Sequence, residues 1–298
     1  MCTEREGYVP VTGGQVWYRM VGTESEGVPL LLLHGGPGFS HDYLAPLAEM
    51  SEGRPVIFYD QLGSGRSDRP KDASLWTLPR FVEELGQVRE ALGLDRVHIL
   101  GSSWGSMLAT EYMLNEPLGV VSLVFAGPAL SAPRWEEDVR GLLSGLSEES
   151  RRIILECEEA EDYDSEDYER AVMEFTQKHV CRVSPWPGYV TSSFESVNED
   201  VYRQMWGPSE FTVTGTLRQF DRVDQLRRIR VPVLFICGRY DEATPSTTEY
   251  YHHNLPGSEL HVVEDASHMQ HVEQPDEFIG VVGDFLWRAE EGCGYRLR

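Results

Sequence analysis

The stretch Val97-His98-Ile99-Leu100-Gly101-Ser102-Ser103-Trp104-Gly105-Ser106-Met107-Leu108-Ala109-Thr110-Glu111-Tyr112-Met113-Leu114 decides how the chain is read. The short apolar run at its start predicts a strand, and the residues after Gly105 predict a helix. Between them lies Gly-x-Ser-x-Gly, in the strand–turn–helix setting that gives this motif meaning. So sharp a turn leaves no room for flanking side chains, which accounts for Gly101 and Gly105. The register selects Ser103. Choosing Ser102 would require glycine at 100 and 104, where Leu100 and Trp104 stand. A serine in this position points to covalent acyl transfer: its hydroxyl attacks a carbonyl, and water later splits the acyl-enzyme.

The same logic extends along the chain. Tyr8 to Val11 and Gln15 to Met20 read as a hairpin around Thr12-Gly13-Gly14. Leu30 to Leu33, Val56 to Tyr59, Val97 to Leu100 and Val120 to Phe125 are continuous apolar runs, the pattern of strands buried on both faces. Leu78 to Leu92 carries helical spacing. The pattern resumes at Val231 to Gly238 and Glu259 to Val263 and closes with a helix from Pro275 to Trp287. This alternation predicts a mostly parallel sheet covered by helices on both faces. It stops between Pro128 and Arg230. From Arg134 to His179 there are 15 acidic and 6 basic residues, with Leu, Ile and aromatics at helical spacing. Disorder is the competing reading for so acidic a segment, but its apolar residues argue for folded helices. The expected division is a core from residues 1–127 and 231–298 and an inserted helical cap from 128–230.

Composition narrows the function. The 298 residues allow one large core plus an insertion, with 41% hydrophobic and 25% charged residues. A net charge of −23 argues against nucleic acid and anionic membranes as partners. No apolar run approaches the roughly 20 residues that span a bilayer. The five cysteines, Cys2, Cys157, Cys181, Cys237 and Cys293, are odd in number and form no CxxC pair. With a polar start lacking the apolar core of a signal peptide, they suggest a reducing cytoplasm. Oligomeric state is not legible.

A nucleophilic serine needs a base, an orienting acid and oxyanion donors. In α/β-hydrolases the acid and then the histidine follow the serine, after late strands. Asp241 follows the Val233–Gly238 run and His268 follows the next one, so the expected triad is Ser103, Asp241 and His268. The oxyanion donors are expected at the amide of Trp104 and at Gly36, in the loop His34-Gly35-Gly36-Pro37-Gly38, with Gly35 bordering the substrate. The Trp104 side chain, Phe39, Tyr43, Trp186 and Trp206 are candidate pocket walls. Arg66 is expected in structural ion pairs. His271 lies three residues past His268, but no HExxH or Cys/His set completes a metal site. No metal and no cofactor are expected.

The HGGPG loop at 34–38, Tyr59 to Asp68, Gly101 to Ser106 and Gly238 to Pro245 together resemble the proline iminopeptidase family. Gly207-Pro208-Ser209-Glu210-Phe211-Thr212-Val213-Thr214-Gly215-Thr216 looks most like its tricorn-interacting aminopeptidase branch. The resemblance implies an α/β-hydrolase fold with a helical cap, and a serine aminopeptidase that removes N-terminal residues from short peptides. It also implies two glutamates that hold the free α-amino group, here Glu210 and Glu242. An ammonium presents N–H donors and a positive charge, and carboxylates answer both. An amino-acid amidase or esterase acting on small α-amino amides or esters fits the same residues, as does, more remotely, a non-catalytic binding module of this fold.

Overall fold

The computed structural model describes residues 3–292. Cys2 and Cys293 fall outside the described residues. The hairpin is formed by β1 (Glu4–Val11) and β2 (Gly14–Val21), with Val11 paired to Gly14 across a tighter turn than the sequence suggested. The remaining strands are β3 (Leu30–Leu33), β4 (Val56–Tyr59), β5 (Val97–Ser102), β6 (Val120–Ala126), β7 (Val233–Gly238) and β8 (Glu259–Val263). They form one sheet in the order β1-β2-β4-β3-β5-β6-β7-β8. The pairings of β1 with β2 and of β2 with β4 are antiparallel, and all others are parallel. Every residue of β3, β4, β5, β6 and β7 is buried. Such strands are covered on both faces, so they carry no polar alternation.

Helices α1 (Leu78–Ala91) and α2 (Trp104–Leu114) pack on each other and on the sheet. Five helices lie between β6 and β7: α3 (Ala132–Leu142), α4 (Glu148–Ala160), α5 (Glu166–His179), α6 (Gly188–Glu195) and α7 (Glu199–Met205). The acidic segment is therefore helical. Its apolar stripe, including Ile154, Tyr168, Ala171 and Phe175, is buried while many of its carboxylates face outward; Glu158 turns inward to accept from Tyr168, Ser209 and Thr212. The chain closes with α8 (Pro245–His253), α9 (Gln270–Glu273) and α10 (Pro275–Gly292). A further 3-10 segment, Asp42–Glu52, packs against α6, α9 and α10.

The strand order explains where a site can form. The chain moves from β3 outward to β4, then jumps back over β3 to place β5 on its other side. The connections leaving β3 and β5 therefore part company, and a crevice opens at the carboxyl ends of those two strands. The glycine loop follows β3, and the Ser103 turn follows β5.

Candidate active site

Ser103 occupies the one-residue bend between β5 and α2 with φ 53° and ψ −120°. This is a strained conformation for a residue with a Cβ. It is held by Ser103 N–H donating to the Ala126 carbonyl at 3.0 Å, and by Ser106 N–H and Oγ donating to the Ser103 carbonyl at 2.8 and 2.6 Å. A Cβ on Gly101 would stand 2.4 Å from the Gly105 carbonyl oxygen, and one on Gly105 would stand 2.2 Å from that of Leu33. Both contacts are with backbone that cannot yield, so the two glycines are sterically required.

His268 is buried and bonds through Nδ1 to Asp241 Oδ1 at 2.7 Å. Asp241 is fully buried. Its carboxylate also accepts from Ala243 N–H at 2.8 Å, Gly238 N–H at 3.2 Å and Gln270 Nε2 at 2.6 Å. A carboxylate fixed by so many donors holds the imidazole in one orientation. Burial disfavours the imidazolium, but Asp241 and then Glu242 and Glu210 outweigh it, and the His268 pKa is pushed up to about 9. Gly127 leaves the space the ring occupies: a Cβ there would lie 2.5 Å from His268 Cε1.

Ser103 and His268 line one cavity of about 270 Å³ together with Gly35, Gly36, Glu210 and Glu242. Its remaining wall is mostly apolar, with Phe39, Tyr43, Phe175, Phe194 and Phe211 among the lining residues. Trp104 is the first residue of α2, so its N–H has no acceptor within the helix and lies at the positive end of the helix dipole. Its side chain is not a wall of the cavity. The indole is buried against Phe81 and donates from Nε1 to Gln61 Oε1 at 2.8 Å. Trp186 stacks on Phe194, a wall residue, while Trp206 packs on Trp135, which in turn meets His268; neither tryptophan lines the cavity itself. Gly35 borders Ser103, but its N–H donates to Tyr43 Oη at 2.7 Å and its carbonyl faces His34 Nδ1 at 2.9 Å. Gly36, the next residue, lines the cavity with φ +107°.

The two glutamates come from different parts of the chain and face the same cavity. Glu242 follows β7 and is buried, with Oε1 3.9 Å from His268 Nε2 and Oε2 without a partner. Burial and the nearby Glu210 raise its pKa well above the carboxylate range. Glu210 follows α7 and accepts a hydrogen bond from Tyr202 Oη; burial raises its pKa as well.

Several contributors carry no local sequence signal. Gln61 accepts from Trp104, donates from Nε2 to the His34 carbonyl at 3.1 Å, and donates from its N–H to His34 Nε2 at 3.0 Å. That last bond puts the proton of a neutral His34 on Nδ1. Trp135 in α3 meets the His268 ring edge to face with centroids 5.8 Å apart. The His179 carbonyl, at the end of α5, accepts from both Glu242 N–H at 3.2 Å and His268 N–H at 3.1 Å. His271 is buried and faces the Tyr43 carbonyl at 3.0 Å. Arg66 lays its guanidinium 4.5 Å over the Trp17 ring, and its N–H donates to Asp60. Among the described residues no group of three His, Cys, Asp or Glu side chains is placed to hold a metal ion.

Comparison with known proteins gives one consistent picture. Residues 28–275 match the family described as alpha/beta hydrolase fold. The proline iminopeptidase of Heyndrickxia coagulans is 48% identical over 94% of this chain and 98% of its own length. The crystal structure of VinJ superposes with a TM-score of 0.92 at 37% identity, covering 96% of this chain and 99% of that one. The crystal structure of proline iminopeptidase from Mycobacterium smegmatis superposes with a TM-score of 0.89 at 38% identity, covering 97% of this chain and 100% of that one.

Proposed function

Because the chain belongs to the alpha/beta hydrolase fold family, and within it to the proline iminopeptidases, we propose a residue-level account of how it works. It is a serine aminopeptidase that releases N-terminal proline from peptides. In our account Ser103 Oγ attacks the carbonyl of the first residue while His268 Nε2 takes its proton. Asp241 holds the ring and stabilises the imidazolium that forms. The N–H groups of Gly36 and Trp104 receive the oxyanion. His268 then returns the proton to the leaving amine, and water, activated by the same ring, hydrolyses the aminoacyl ester on Ser103.

Glu210 and Glu242 hold the substrate's ammonium. The observation that carries this assignment is the orphaned Oε2 of Glu242, a buried carboxylate oxygen with no partner on the wall of the cavity that Ser103 lines. Leaving such an oxygen unsatisfied costs about 1–3 kcal/mol, which an incoming N–H donor recovers. Two carboxylates facing one cavity suit a charged chain terminus and disfavour an internal peptide segment, which offers no ammonium.

The same reading treats residues 128–230 as a cap over the core formed by 1–127 and 231–298, supported by the five helices inserted between β6 and β7. Peptides are the partners; the charge of −23 disfavours nucleic acid. Among the described residues no helix is long and apolar enough to cross a membrane. The described cysteines 157, 181 and 237 are all free, which supports a reducing, cytoplasmic setting.

The test is hydrolysis of aminoacyl-7-amido-4-methylcoumarins bearing Pro, Ala, Leu and Phe, beside an N-acetylated control and the Ser103→Ala variant. Turnover of free-amine substrates, led by Pro and abolished in the variant, is the expected result. Equal turnover of the acetylated substrate would remove the role given to the glutamates.

A further inference from the structure

We propose that the substrate's ammonium does more than anchor the peptide: by engaging Glu242 it withdraws that carboxylate from His268 and so turns the imidazole into a base. This rests on the amine-binding role given to Glu242 above. The geometry that points to it is the placement of Glu242 Oε1 3.9 Å from His268 Nε2, the nitrogen that must be free to accept the Ser103 proton. In the empty site His268 therefore has a carboxylate at each nitrogen, Asp241 at Nδ1 and Glu242 near Nε2.

The charged and titratable surroundings of the ring can be named element by element. Asp241 and Glu242 lie on the loop after β7, and Glu210 lies beyond α7 with Tyr202 donating to it. His271 on α9 is held neutral by burial, with its pKa lowered to about 4. His179 at the end of α5 is likewise shifted toward the neutral form by burial. Trp135 on α3 is uncharged. Three acidic side chains therefore surround one imidazole; burial, and for Glu242 the neighbouring Glu210, pushes the two glutamates toward the neutral form, and an imidazolium beside them favours the charged form of each.

Such a cluster retains protons. Two carboxylates that face one cavity repel each other, and an imidazolium beside them relieves that repulsion. A bound ammonium supplies the same positive charge from the other side of the glutamates. One proton then leaves His268 Nε2 for solvent, the ammonium takes its place electrostatically, and the ring can receive the Ser103 proton. An opposite charge within ~4–6 Å shifts a pKa by about 1–3 units, enough to convert a mostly protonated ring into a working base near neutral pH. Selection for a free N-terminus is then exercised in the chemical step as well as in binding.

The experiment compares two substrates on the wild-type enzyme and on Glu242→Gln. p-Nitrophenyl acetate has no amine, so the acid limb of its kcat/KM profile reports His268 with the glutamates unoccupied. The acid limb of kcat for a prolyl coumarin amide reports His268 with them occupied. The expected result is a limb about two pH units lower for the prolyl substrate, and a gap that closes in Glu242→Gln as the acetate limb falls. Saturating methylammonium should then accelerate acetate hydrolysis by the wild type at pH 7 by about fiftyfold, the effect of a two-unit fall from about 9, and should not do so in the variant. Coincident limbs in the wild type, with methylammonium inhibiting prolyl hydrolysis competitively but not accelerating acetate hydrolysis, would overturn the inference while leaving the glutamate clamp intact. Methylammonium that neither inhibits nor activates, together with equal turnover of N-acetylprolyl and prolyl substrates, would overturn the clamp itself.

Discussion

The sheet core and the inserted helices solve different problems around one cavity, and they are built by different means. The core places Ser103, Asp241 and Glu242 after buried strands and His268 after the partly exposed β8; backbone bonds within the core hold Ser103 and Asp241, while the amides of Glu242 and His268 donate to His179 of the insertion. The insertion offers Phe175 from α5, Tyr202 from α7, and Glu210 and Phe211 from the loop after α7. Residues on the first scaffold are over-determined by the strands beside them. Residues on the second depend on how helices pack, and such packing tolerates substitution. The difference suggests a division of labour in which the core performs bond breaking and the insertion chooses what is broken.

Four experiments test or sharpen that division, in order of decreasing effect. Ser103→Ala should lower kcat by about 10⁵–10⁶-fold for peptide and ester alike, and adding His268→Ala should cost little more, because the two act as a unit. A much smaller loss, or additive losses, would mean that the core does not own the chemistry. Glu210→Gln should reduce kcat/KM for prolyl substrates by roughly 10–150-fold, the value of one charge-assisted bond, yet leave hydrolysis of p-nitrophenyl acetate within about threefold. Loss of the ester activity as well would erase the distinction between the two regions. Gln61→Leu, which frees the Trp104 indole and the His34 carbonyl, should reduce kcat by about tenfold with KM little changed if Trp104 and Gly36 supply the oxyanion donors as proposed, since it loosens the support of both without touching the substrate. A change in KM alone would place Gln61 in recognition.

The smallest effect concerns the stability of the insertion. Glu174 accepts from Ser147 N–H and Oγ at 2.9 and 2.7 Å and from Lys178 Nζ at 2.9 Å. Hydrogen bonds from Ser150, Lys178 and Ser147 lower its pKa from 4.5 to about 2. A carboxylate with a depressed folded-state pKa contributes stability that is present above pH 4.5 and lost as pH falls toward 2. The group is well solvated, so Glu174→Gln should cost less than ~1 kcal/mol near neutral pH and shift Tm by no more than about 2 °C. The difference between variant and wild type should vanish at pH 2; a constant offset would assign the effect to packing.

What could be read from the chain follows the same line between the two regions. Leu30–Leu33, Val97–Leu100 and Val233–Gly238 announce buried strands because a strand covered on both faces must be apolar throughout. Gly101 and Gly105 announce the turn because no other residue fits there. Asp241 and His268 follow from their positions after late strands. Glu210 came only through resemblance, since one carboxylate in an acidic segment looks like the next. Gln61, Trp135 and the His179 carbonyl left no trace, because each acts through a partner far along the chain and no local spacing records it. Trp104 misled for a related reason: beside a nucleophile an indole suggests a pocket wall, whereas here the helix turns it inward to Gln61 and Phe81. Arg66, expected in ion pairs, rests instead over Trp17.

The His179 carbonyl carries one last consequence, for anyone who would exchange the inserted segment between relatives. It lies within the insertion yet accepts hydrogen bonds from the backbone of Glu242 and His268, on two separate loops of the core. A chimera that joins cleanly near residues 128 and 230 would still arrive with two core amides to satisfy. A donor segment that lacks an acceptor at that point would fold over a core whose Glu242 and His268 loops have drifted. Segment grafting in this lineage should therefore be planned around that single oxygen as much as around the splice points.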